Sequence, residues 1–173
     1  ASNGPQVGWS GWKITLSALT PGAKPIKLAL PDTAVMAPPR WSPDGAHFAL
    51  LNRASNSVEL WLGDTATGNV RRLPNLAVSA AVGEPVQWLP GSKELLVQLV
   101  PAKRGAPPPA PEVPTGPVVQ ETTGKAGPVR TYQDMLESPH DEALFDYYAT
   151  SQLAIVNAAT GAVTRTPFAG NVL

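Results

Sequence analysis

The chain contains no cysteine, which excludes both a disulfide framework and a thiolate zinc site. It also has no net charge, with 13 basic residues against 13 acidic. The electrostatic footprint that nucleic acid or an anionic membrane requires is therefore missing. No run approaches the roughly 18 apolar residues of a membrane span, and no signal peptide opens the chain. Histidine is confined to His47 and His140, so any catalytic triad within the chain would have to use one of them. The missing initiator methionine implies a processed or truncated start, and by length the chain is one domain or a piece of one.

Proline and glycine are abundant, at 20 and 15 of 173 residues. That density is wrong for a helical bundle and suits a chain that turns many corners. Val, Leu, Ile and Phe together make up about 23% of the chain, just above the roughly 20% floor associated with disorder. Most of the chain is therefore expected to fold.

Internal repeats organise it. Leu60 to Leu73 (LWLGDTATGNVRRL) aligns without a gap on Leu153 to Thr166 (LAIVNAATGAVTRT). Asp64 falls on Asn157, Thr67 on Thr160, Gly68 on Gly161 and Arg72 on Arg165. Each copy predicts strand, tight turn and strand, the glycine supplying the positive φ of the turn. Lys13 to Leu28 is a looser third copy, with Pro21-Gly22 at its corner. A second motif precedes two of these hairpins. Trp41-Ser42-Pro43-Asp44-Gly45 leads into Phe48-Ala49-Leu50-Leu51, and Trp88-Leu89-Pro90-Gly91-Ser92 leads into Leu95-Leu96-Val97. The two tryptophans lie 47 positions apart, close to the roughly 40–50 residue period of propeller blades. One unit is a strand ending at Trp, a turn, a buried strand and an outer hairpin, which is a four-stranded antiparallel blade.

The spacing breaks once, by an insertion of 46 residues between Trp88 and Leu153. Its first part, Pro101 to Pro128, carries the tract around Pro107-Pro108-Pro109 and is expected to be extended. Its second part reads as helical. Thr131 with Asp134 has the form of a capping box, and Ser138 caps a further turn with Pro139 at its first position. Leu144, Tyr147 and Tyr148 are the candidate apolar stripe. The expected fold is all-β: a partial, open propeller of two to three four-stranded blades with one long Pro-rich and helical insertion. Residues 1–30 form the outer hairpin of a preceding blade and 36–74 a blade. Residues 84–100 with 148–168 form the next blade, and 101–147 the insertion. Allowing for the insertion, about three units remain, whereas closed propellers need at least four blades.

Catalytic chemistry is mostly missing. Gly8-Trp9-Ser10-Gly11 has the wrong spacing for a nucleophile elbow. His47 reads as a surface strand residue and His140 as a polar residue at a helix start. His140, Asp141 and Glu142 are adjacent on a helix and cannot converge on one metal ion, and no metal or cofactor site is expected. Asp32, Asp44 and Asp64 sit by turns, where Asp bonds its own backbone. Trp41, Trp61 and Trp88 fit blade packing, with Pro43, Asp44, Gly45, Gly68 and Gly161 as the accompanying turn residues. Trp9 and Trp12 leave open a carbohydrate platform. Arg130 in the insertion, with Tyr132 beside it, is the candidate substrate contact: a guanidinium fork for a carboxylate or carbonyl, or else an ion pair to Asp134 or Glu137 that orders the loop.

Trp-Ser-Pro-Asp-Gly followed by Glu-Leu-Trp and a Thr-Gly turn resembles the repeat of the prolyl oligopeptidase family and of periplasmic TolB-type propellers. The insertion narrows this. Val129 to Asp134 and Pro139 to Leu153 (PHDEALFDYYATSQL), with Arg104-Gly105 and the proline tract before them, resemble the glutamyl-endopeptidase-like branch, serine peptidases of bacteria and plant plastids. The resemblance implies an α/β-hydrolase domain carrying Ser, Asp and His beyond Leu173, so that no catalytic residue lies in this chain. It implies that the propeller gates peptide access to that domain, with the remaining blades, the hydrolase domain and peptide substrate as partners. Bacterial relatives imply the periplasm or the exterior. The alternative is a non-enzymatic TolB-like interaction propeller.

Overall fold

A computed structural model describes residues 13–111, 136 and 138–171. Among the described residues the chain is mostly β, in three antiparallel sheets with one helix. Strands β1 (Thr15–Leu16) and β2 (Ile26–Lys27) form a hairpin. A four-stranded meander follows, of β3 (Arg40–Trp41), β4 (His47–Arg53), β5 (Val58–Asp64) and β6 (Val70–Arg72), in the order β3-β4-β5-β6. The second sheet contains β7 (Val86–Trp88), β8 (Glu94–Leu99), β9 (Thr150–Asn157) and β10 (Val163–Asn171), in the order β10-β9-β8-β7. Between β8 and β9 lies α1 (Pro139–Ala149), which runs into β9 without a connecting loop.

Both faces of the first sheet are apolar, which is why β4 reads as an unbroken hydrophobic run rather than an alternation. Ala49 and Leu51 on β4, with Val58, Leu60 and Leu62 on β5, enter one core cluster with Leu95, Val97 and Leu99 of β8 and Ala154 and Val156 of β9. Phe48 and Leu50 turn the other way. They join Leu28 and Met36, with Ile14 and Leu16 of the β1 segment and Trp61 packed around them. The β1–β2 hairpin, the first sheet and the second sheet therefore form a serial stack. Burying one such Leu or Val contributes roughly 1.5–3 kcal/mol, so the sheets depend on one another more than on their own ladders.

Polar ties set how the two larger sheets meet. The Trp88 indole N–H donates to the Arg40 carbonyl at 2.9 Å, and the Asp44 N–H donates to Ser92 Oγ at 3.1 Å. Arg40 pairs with Glu84, and the Arg71 guanidinium donates to the carbonyls of Ala158 and Ala159.

Three positions require glycine. Gly63 faces Phe48 across the β4–β5 register, and the Phe48 ring fills the space of the missing side chain: a Cβ there would stand 2.0 Å from Phe48 Cζ. In the Thr-Gly turns, Gly68 (φ 72°) and Gly161 (φ 75°) both have the left-handed backbone that glycine adopts without penalty. Each packs on the preceding unit, Gly68 against Ile26 and Gly161 against Leu73.

Gly63→Ala is expected to cost about 1–3 kcal/mol by overpacking, read as a lower urea midpoint at unchanged slope; a midpoint equal to that of the parent contradicts the packing. Gly68→Ala and Gly161→Ala each force an L residue into the left-handed region. Gly68→Ala also drives a Cβ to 2.4 Å from Ile26 Cγ2, against 3.3 Å to Leu73 Cδ2 at Gly161. Gly68→Ala should therefore lower the midpoint further, and equal losses would argue against this packing of the turns.

Candidate functional site

The turn motifs form two matched sets of brackets. In the first, the Ser42 hydroxyl donates to Asp44 Oδ1 at 2.6 Å and accepts the His47 N–H at 2.9 Å. Asp44 Oδ1 also accepts the Ala46 N–H. The Ser42 hydroxyl, and then that N–H, hold the Asp44 carboxyl below the usual carboxylate range. In the second sheet the same backbone turn forms with other side chains. The Ser42 N–H donates to His47 O and the Leu89 N–H to Glu94 O; Gly45 (φ 70°) has its counterpart in Ser92 (φ 55°).

The outer hairpins match atom for atom. Asp64 Oδ1 accepts the Thr67 hydroxyl and the Thr67 N–H, each at 2.8 Å. Asn157 Oδ1 does the same for Thr160, at 3.0 and 2.9 Å. The Thr67 hydroxyl, then the Thr67 N–H, lower the Asp64 pKa. A carboxylate and a carboxamide do the same work because only one acceptor oxygen is required. These side chains fix strand ends, which is structural chemistry.

Both bracket sets open onto a groove of about 490 Å³ between the sheets, lined among others by His47, Asp64, Arg71, Trp88, Lys93 and Asn157. The His47 and Trp88 rings lie 18° from parallel with centroids 6.3 Å apart, and His47 Nδ1 is 4.0 Å from Asp64 Oδ2. Trp61 and Trp88 are partly buried against the two core clusters. Trp41 stays 51% exposed and meets Phe48 at 5.5 Å. Pro43 stands at the exposed corner between β3 and β4.

Arg130 and Tyr132 lie outside the described residues, as do Trp9, Trp12 and the Thr131 capping box. The roots of the insertion are described. Ser138 caps α1, accepting the Asp141 N–H, and Pro139 stands in the first turn, as expected from sequence. His140 is half-buried in that turn. Among the described residues no three His, Cys, Asp or Glu side chains gather as a metal cluster, and no helix is long and apolar enough to cross a membrane.

Sequence reasoning missed Glu59. Its carboxylate accepts the Asn52 amide and the Trp61 indole N–H, each at 3.0 Å, and the Arg72 guanidinium at 2.7 Å. One anion thus staples β4, β5 and β6 beside a second groove of about 510 Å³. The alternation of Val58-Glu59-Leu60-Trp61 places Glu59 and Trp61 on one face, but the Asn52–Glu59 pairing needs the register. Burial pushes the Glu59 carboxyl up, and the bonds from Asn52, Trp61 and Arg72 outweigh it, leaving the pKa lowered. A lowered carboxyl contributes stability that is present above its unfolded pKa and lost as pH falls through the folded one. Asp44 and Asp64 act with the same sign. Glu59→Gln should flatten the fall in stability between neutral and acid pH, measured by urea titration at each pH; an unchanged acid slope would dismiss Glu59 as a source of it.

No family model matches the chain. Two curated plant proteins do, each titled probable glutamyl endopeptidase, chloroplastic. The one from Oryza sativa subsp. japonica is 39% identical over 127 residues, and the one from Arabidopsis thaliana is 39% identical over 125 residues. Both alignments cover 68% of this chain and 13% of the relative, so the chain spans about an eighth of their length. Among solved structures, the Pyrococcus horikoshii acylaminoacyl peptidase aligns over 86% of this chain and 18% of its own, at 15% identity and a TM-score of 0.45. The resemblance drawn from the insertion motifs is borne out: over 68% of its length this chain is homologous to these two probable chloroplastic glutamyl endopeptidases.

Proposed function

We propose that this chain is a segment of the β-propeller of a serine peptidase, two four-stranded blades and the outer hairpin of a third. In this reading it screens peptides on their way to an α/β-hydrolase domain outside residues 1–173, and the insertion between β8 and β9 stands at the substrate entrance with Arg130 and Tyr132 as its contact residues. Homology over 68% of the chain to glutamyl endopeptidases supports the family side of this reading.

The observation that carries the propeller is the incompletely covered apolar patch of Leu96, Leu153 and Ile155 on the second sheet, beside buried Gln98 and Ser151 on the same face. Aligning the repeats puts Leu153 on Leu60 and Ile155 on Leu62. Leu60 and Leu62 are buried by the second sheet. Leu153 and Ile155 share the opposite face of their own sheet with Leu96 and remain only half-buried. The stacking rule that unites hairpin, first sheet and second sheet calls for a further sheet of the same kind on that face. Repetition of a sheet that is apolar on both sides ends only when the ring closes.

A fluorophosphonate probe tests the assignment. It is expected to label the longer gene product at a serine outside residues 1–173 and to leave the 173-residue chain unlabelled. Labelling of this chain contradicts the reading. A longer product that does not label contradicts it too, and fits a TolB-type interaction propeller instead.

A further inference from the structure

Helix α1 has little of its own to hold it. Eleven residues are too few for a helix to persist alone in water, and of its residues only Ala149 is buried. Its last turn contains no basic residue, so the negative end of the helix dipole has no cation from within the helix.

A cation from the other root of the insertion packs on the side chains of that last turn. The Arg104 guanidinium lies 3.8 Å from the centroid of the Tyr147 ring and 5.0 Å from that of Tyr148. Both tyrosines belong to the last turn of α1, and their rings meet edge to face at 5.0 Å. Gly105 (φ 75°) turns the chain beside Arg104 and offers its carbonyl to the Tyr147 hydroxyl at 2.9 Å. Pro107, Pro108 and Pro109 then run along a groove shared with Ala143 and Asp146. The helix is also tied to β10 by the Asn171 amide, which donates to Asp146 Oδ1 at 3.0 Å.

We propose that Arg104 is the latch joining the outgoing proline-rich segment to α1, making the two roots of the insertion one cooperative unit that opens separately from the sheets. A planar guanidinium stacks on the tyrosine face; an ammonium supplies only the charge. Neither tyrosine belongs to the apolar clusters that unite the sheets. The inference does not depend on the peptidase reading.

Native-state hydrogen exchange on the 173-residue chain and three variants tests it. Arg104→Ala should speed exchange of the α1 amides about tenfold while amides of β4, β5 and β8 keep their rates. Arg104→Lys should fall between Arg104→Ala and the parent. Tyr147→Phe, which keeps the ring and loses the bond to Gly105, should speed α1 less than Arg104→Ala does. Unchanged α1 exchange in Arg104→Ala overturns the latch. Equal acceleration of helix and sheets overturns the separate unit, and parental exchange in Arg104→Lys overturns the need for a stacked plane.

Discussion

A sheet that is apolar on both faces cannot stop at two layers. In the first four-stranded sheet, Phe48 and Leu50 point one way and Ala49 and Leu51 the other, and all four are buried. Each face requires a neighbour, and each neighbour built to the same pattern has a far face of its own. Serial stacking of sheets is the outcome, with hydrophobic burial as the main driving force and the ladders as the means of holding each layer flat enough to stack. Among the described residues the β1–β2 hairpin and the second sheet are its two neighbours, and its stability belongs to the stack.

Polar groups set the angle of that stack. The indole of Trp88 reaches the Arg40 carbonyl, Ser92 accepts the Asp44 N–H, and Arg71 caps the carbonyls of the following hairpin turn. Each of these bonds contributes only about 0.5–1.5 kcal/mol net, far less than the apolar burial it accompanies. Their role is directional: they admit one relative placement of two faces that hydrophobic contact alone would let slide. The turn glycines add a steric limit, since Gly68 and Gly161 each let a hairpin close onto the unit before it.

Features that depend on local geometry were legible in the sequence. The Asp64 and Asn157 turns could be aligned residue by residue because a hairpin of that length needs glycine and an acceptor oxygen at fixed offsets. Ser138 and Pro139 announced the helix start for a similarly local reason. Contacts between distant segments left no comparable trace. Glu59 gathers Asn52 and Arg72 only after β4, β5 and β6 have come into register. Arg104 meets Tyr147 across 42 intervening residues, and the loop between them carries no periodic signal. Phe48 above Gly63 is an intermediate case, since a lone glycine inside a strand pattern points to a close approach without naming what approaches.

The central claim is the proposed one, that the face of Leu96, Leu153 and Ile155 is covered by a further sheet in a longer gene product. The absence of cysteine from these 173 residues allows a direct measurement. Leu153→Cys is introduced into the 173-residue chain and into the longer product, and maleimide labelling of the peptide containing it is followed by mass spectrometry. Leu60→Cys in each serves as the internal reference for a covered position. Rapid labelling of Leu153→Cys in the short chain, with protection approaching that of Leu60→Cys in the longer product, is the result the account predicts. Equal, rapid labelling in both would contradict it.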